Sequence, residues 1–150
     1  MSRTATPFIV IGGLGLVAGG LLSAISAGSP SYLASWAVAY LVLVVGVAQL
    51  ALGIGQDRLA PGTPAPGLIS AELLAFNLAN LAVLAGSLFA VLALTWVGAV
   101  LIVVAMALFI WAVRGGTSEH RGLLWLYRAV VAVLLVSAPI GIILAHSRLG

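Results

Sequence analysis

The chain has 150 residues, 63% of them hydrophobic and only 6% charged, with a formal net charge of +3 and a mean hydropathy of +1.30. Soluble domains carry about a quarter charged residues, so this composition excludes a water-facing globular surface. It also contains no cysteine, which excludes disulfides, thiolate catalysis and cysteine metal sites.

An apolar chain of this kind is solvated by a bilayer. The absence of water there forces every backbone N–H and C=O to be satisfied within helices. The apolar runs far exceed the roughly 10 residues of a membrane barrel strand, and strand alternation is missing. The expected fold is therefore an all-α integral membrane protein, a five-transmembrane-helix bundle forming a single domain over residues 1–150.

The first span is expected near 7–27. It carries Gly15, Gly19 and Ser23 at steps of four, a small-residue face that lets another helix approach closely. That face serves either internal packing or contact with another subunit. Arg3, the apolar run and the small residues SAISAG also match a secretory signal peptide, but the segment is read here as a retained helix. GGLGLVAGG is not a phosphate loop, since no strand precedes it and no lysine follows.

GSPSY at 28–32 ends the first span, and the second is expected at 33–56. It contributes Gln49 and, seven residues on along the same face, Gln56. The stretch QDRLAPGTPAPG, with three prolines, is read as a loop over 56–67.

The third span, 68–91, includes ISAELLAFNLANLAVLAG. Glu72, Phe76, Asn80 and Ser87 share one helical stripe, and Asn77 lies beside Asn80. Lipid cannot satisfy such a seam, so it is expected to face protein. Residues 68–113 are too long for one crossing, which places a tight turn near Leu94 and Thr95 and a fourth span at 95–113. RGGTSEHRG then forms a charged loop, and a fifth span follows at 122–146, with Ser137 and Pro139 marking a kink. LGLVAGGLLSAI (14–25) matches LAVLAGSLFAVL (81–92), and VAYLVLVVGVAQL (38–50) matches VGAVLIVVAMALF (97–109), in several positions. This pattern suits two helical hairpins plus a fifth helix, although chains made of Leu, Ala, Val and Gly also match one another through composition alone.

Orientation follows the arginines. With a cytoplasmic N-terminus, Arg3, Arg58, Arg114 and Arg121 fall inside and Arg148 outside, the bias expected of a multi-pass protein. Tyr32, Trp36 and Trp96 then mark the outer interface, and Trp111, Trp125 and Tyr127 the inner one. Arginine without lysine in an Ala/Gly/Val/Leu-rich chain points to a GC-rich bacterial genome and hence to the cytoplasmic (inner) membrane.

Depth brings two charges together. Glu72 lies about 6 Å along the third span and Arg128 about 9 Å along the fifth, both entering from the cytoplasmic side. A lone charge deep in the bilayer costs roughly 2.5–3.5 kcal/mol, which favours pairing them. The expected polar cluster is Gln49, Gln56, Glu72, Asn77, Asn80 and Arg128. Alternatively, Arg128 snorkels to phosphate headgroups.

Three roles compete for this cluster: a structural tie between helices, a proton, ion or solute path through Glu72, and an interface with a larger complex. Catalysis is not expected. His120 and His146 fall on opposite sides of the membrane, and no metal or nucleophile constellation is present. No cofactor and no nucleic acid is expected. The partners implied are the lipid bilayer and either another membrane protein or a second copy of this chain. The function expected is that of a non-catalytic accessory or scaffold subunit of a membrane complex, with a small oligomeric transporter or channel as the alternative.

Overall fold

A computed structural model describes residues 4–115 and 121–146, with the side chains of the last helix described as far as residue 136. Arg3, Glu119, His120 and Arg148 lie outside the described residues, as do the side chains of Ser137, Pro139 and His146.

Among the described residues the chain is all-helical. The helices are α1 (Ala5–Ser26), α2 (Tyr32–Leu59), α3 (Pro66–Leu88), α4 (Leu92–Val113) and α5 (Arg121–His146). Four of them, α1 to α4, are long and apolar enough to cross a membrane. A fifth crossing rests on the sequence alone. The chain divides into two compact units, Met1–Asp57 and Arg58–Gly150.

In the first unit, α1 and α2 form an antiparallel pair. Ala5, Phe8, Gly12, Gly15 and Gly19 are the buried positions of α1, spaced three and four apart, so they form one straight seam. A methyl group on Gly15 would sit 3.1 Å from the Gly46 backbone nitrogen, and one on Gly12 would sit 3.0 Å from the Gly46 carbonyl oxygen. The glycines thus let two backbones meet, which is where helix association in lipid finds its dispersion contacts. Ser23 is exposed and lies off this seam, and Gly12 takes its place.

Helix α2 starts at a capped end: the Ala34 backbone N–H donates to the Ser31 hydroxyl at 3.1 Å. Its central stretch, Leu41–Ala48, is π-helical. The wider turn of a π-helix is uncommon and nothing in the sequence signals it. The helix also runs on to Leu59, so Gln56 to Leu59 belong to it and not to the loop expected over 56–67. Pro66 then opens α3 at its first turn, where a missing N–H leaves no bond unmade.

In the second unit, α3 and α4 form a tight hairpin and α5 packs against α4. The turn lies at residues 89–91, earlier than the expected position at Leu94 and Thr95, both of which are helical. Its geometry explains the difference. The Val91 N–H donates to the Gly86 carbonyl at 2.8 Å while Ala90 adopts φ 55°, a Schellman-type helix end with alanine where glycine is usual. Left-handed backbone costs an L-residue about 1–2 kcal/mol, so Ala90 gives no local turn signal and is held there by the packing of the two helices.

Candidate functional site

The inward face of α3 carries Glu72, Phe76, Ala79, Asn80, Ala82 and Gly86. Glu72 is fully buried and Asn80 is 2% exposed. In a helix whose other faces are Leu, Val and Ala, these are the groups a hydrocarbon solvent would penalise most. They are turned into protein. Both are engaged in interactions there.

The facing stripe of α4 is Thr95, Gly98, Ile102, Ala105 and Phe109, again at steps of three and four. Its two ends show how the hairpin closes. Near the turn, a methyl group on Gly86 would lie 2.6 Å from the Thr95 backbone nitrogen, so the backbones touch. The Thr95 hydroxyl donates to the carbonyl of Val91, the residue that caps the start of α4, at 3.4 Å. Toward the other end, the rings of Phe76 and Phe109 meet edge to face, with centroids 6.2 Å apart at 86°. Such a pair contributes roughly 0.5–1.5 kcal/mol beyond the area it buries.

Helix α5 contributes Tyr127, which is 4% exposed and donates its hydroxyl to the Phe109 carbonyl at 3.4 Å. The Glu72 carboxyl lies within electrostatic reach of this tyrosine. Phe76, Phe109 and Tyr127 thus draw α3, α4 and α5 together, and the buried Glu72 lies one turn from Phe76 on the same face of α3.

Arg128 does not join it in the interior. The side chain is exposed, and its guanidinium lies over the Trp125 ring at 5.8 Å from the centroid. Successive helical residues point about 100° apart, so burying Tyr127, Val131 and Leu134 on one stripe turns Arg128 away from it. Glu72 and Arg128 sit at similar depths along their helices, but depth does not fix the direction in which a side chain points. Asn77 is half-buried and settles its own polarity, donating its side-chain N–H to the Leu73 carbonyl at 2.8 Å. Ser87 is also half-buried, and the adjacent Gly86 holds the contact position.

Gln49 and Gln56 belong to the first unit, on a stripe of α2 shared with Gly46 and Gly53. Both glutamines are fully buried. Gln56 is engaged, whereas neither amide atom of Gln49 has a hydrogen-bond partner among the described residues. A buried amide without partners costs about 1–3 kcal/mol, and a same-sized apolar group removes that cost. Gln49→Met, which keeps length and flexibility, should therefore raise stability by about 1–2 kcal/mol. Thermal unfolding in detergent measures this, and a lowered melting temperature would show that the amide is satisfied in the folded protein.

Thr95, expected in the turn, is instead a buried contact residue of α4, and neither Gly98 nor the inward direction of Tyr127 is among the sequence expectations. The signal for Tyr127 was present, since Tyr127, Val131 and Leu134 repeat at four and three residues. Gly98 carries no side chain to mark it, so its role becomes visible only opposite Ala79 and Val83.

Chemically, a single buried carboxyl can hold one proton and can tie helices together. Among the described residues, no group of three or more His, Asp or Glu is placed to hold a metal ion. Comparison with protein-family models, with curated proteins and with solved structures finds no match for this chain.

Proposed function

We propose that this chain is a non-catalytic multi-pass protein of the bacterial inner membrane that serves as an accessory or scaffold subunit of a larger membrane complex. The observation that carries the reading is where its polarity goes. Glu72, Asn80 and Tyr127 are engaged inside the chain's own helix contacts, while the outward faces are broadly apolar, with Leu74, Leu78, Leu81, Val100 and Val103 all exposed. The described connectors at 27–31, 60–65 and 89–91 are short, which supports recognition in the membrane plane or at its surfaces. The arginine distribution supports a cytoplasmic N-terminus and, with α5 as a fifth crossing, an external C-terminus.

A second reading, a small oligomeric transporter or channel, is favoured by one observation: an ionisable group, Glu72, is fully buried among helices. Purification from native membranes in mild detergent, followed by mass spectrometry of the intact particle, separates the two. The accessory role predicts other membrane subunits in fixed stoichiometry. Recovery of a pure homo-oligomer would remove it in favour of the second reading.

A further inference from the structure

The two helix ends flanking residues 114–120 carry an unusual surface. On α5, Arg121, Trp125 and Arg128 are all exposed and follow steps of four and three, so they form one outward stripe. On the neighbouring end of α4, the exposed Arg114 guanidinium sits over the Trp111 ring at 3.0 Å. Since α4 and α5 pack on one another and are joined by this short connection, the two clusters share one end of the second unit. Neither helix contains an Asp or Glu, and the connection has a single acidic residue, Glu119. Glu72, the acidic group on the helix packed beside them, is fully buried.

Arg128 is the informative member. It lies about 10 Å along the axis from Arg121 yet faces outward, where hydrocarbon would be its solvent. Side chains on a helix lean toward its N-terminus, which here is the entry interface. Its guanidinium accordingly reaches back over Trp125, three residues earlier. At this distance the ring attracts the charge without covering the guanidinium, whose edge of N–H donors can turn toward the interface. That edge matches a phosphate, which it can grip with two parallel charge-assisted hydrogen bonds.

We propose that the Arg121–Trp125–Arg128 stripe, flanked by Arg114 on Trp111, is a headgroup site for an anionic phospholipid. The phosphate is held by the outward guanidinium edges, the indoles sit at headgroup level, and the acyl chains run along the exposed apolar residues that continue the stripe, Ala132 and Val136. The proposal depends on the chain lying in a membrane and is independent of whether it is an accessory subunit or a transporter.

The test is native mass spectrometry of the full chain in detergent, titrated with phosphatidylglycerol or phosphatidylcholine. The native protein should retain phosphatidylglycerol preferentially. Arg121→Gln and Arg128→Gln should each weaken that preference by roughly fivefold, about the effect of one basic residue near an anionic surface, and the double variant by more. Arg58→Gln, an equal change in net charge elsewhere, should leave it unaltered. If Arg128→Gln folds poorly, Arg128→Lys provides the readout: it keeps the charge but loses the planar fork, so its preference should fall below the native one. Equal retention of the two lipids by the native protein, or native preference in the double variant, would overturn the assignment. So would an acidic partner protein that co-purifies through these arginines without any lipid preference, an outcome that leaves the accessory-subunit reading standing.

Discussion

Gly98→Ile should separate α3 from α4 and lower the stability of the chain by about 3 kcal/mol, the upper end of what overpacking a close contact costs. The reason is backbone, not side chain. The first carbon added to Gly98 would lie 2.8 Å from the Ala79 carbonyl oxygen and 2.8 Å from the Val83 backbone nitrogen. A neighbouring side chain can change rotamer to make room, but a helical carbonyl moves only if its helix moves. The β-branched isoleucine adds bulk at the carbon that already clashes, so no rotamer avoids the contact. Gly98→Ala should fall between the two, since it adds that carbon and nothing more. Gly13→Ala serves as the control: open space surrounds that position, so the change should be nearly neutral. Thermal unfolding in detergent, with size-exclusion profiles, reads all three. Gly98→Ile melting with the native protein would mean that the hairpin is not packed through this glycine.

Glu72→Ala should cost about 2–4 kcal/mol, combining a cavity in a packed face with the loss of a partner for the groups around it. Glu72→Gln keeps the volume and much of the hydrogen-bonding capacity, and should stay within about 1 kcal/mol of the native protein. The pair of variants also separates the roles open to this carboxyl. If it only ties α3 to the helices around Tyr127 and Phe109, Glu72→Gln behaves as the native protein in every assay. If it carries a proton, Glu72→Gln stays folded but abolishes proton flux into proteoliposomes, because an amide cannot titrate. A folded Glu72→Gln protein with lost flux would therefore replace the accessory-subunit reading with the transporter.

The glycine seam of the first unit shows the same economy of side chain as the hairpin. Gly12, Gly15 and Gly19 on α1 receive Gly46, Val45 and Val42 of α2, and Gly46 in turn receives Leu16. The small-residue motif read in the sequence as Gly15, Gly19 and Ser23 had two uses open to it. The structure assigns Gly15 and Gly19 to contacts within the chain, leaving Ser23 exposed with its carbonyl near the Ser26 hydroxyl at 3.3 Å.

Much of the architecture was legible without coordinates, and for a simple reason. Hydropathy and helix breaks at Gly28, Pro30 and Pro64 are properties of short windows, and a bilayer converts them directly into helices of a given length. The seam on α3 was legible too, since a carboxylate and an amide eight residues apart on one stripe of a greasy helix have to face protein. What no window contains is the rotation of each helix about its axis. That angle is set by the summed packing of distant faces, and a shift of one residue swings a side chain by about 100°. Tertiary packing alone therefore decided that Tyr127 and not Arg128 turns inward on α5, that Gly98 is a contact, and that α2 passes through a π-helical stretch. It also placed the hairpin turn at Ala90, a residue whose own preference opposes the conformation it adopts and whose backbone is held there by the helices on either side.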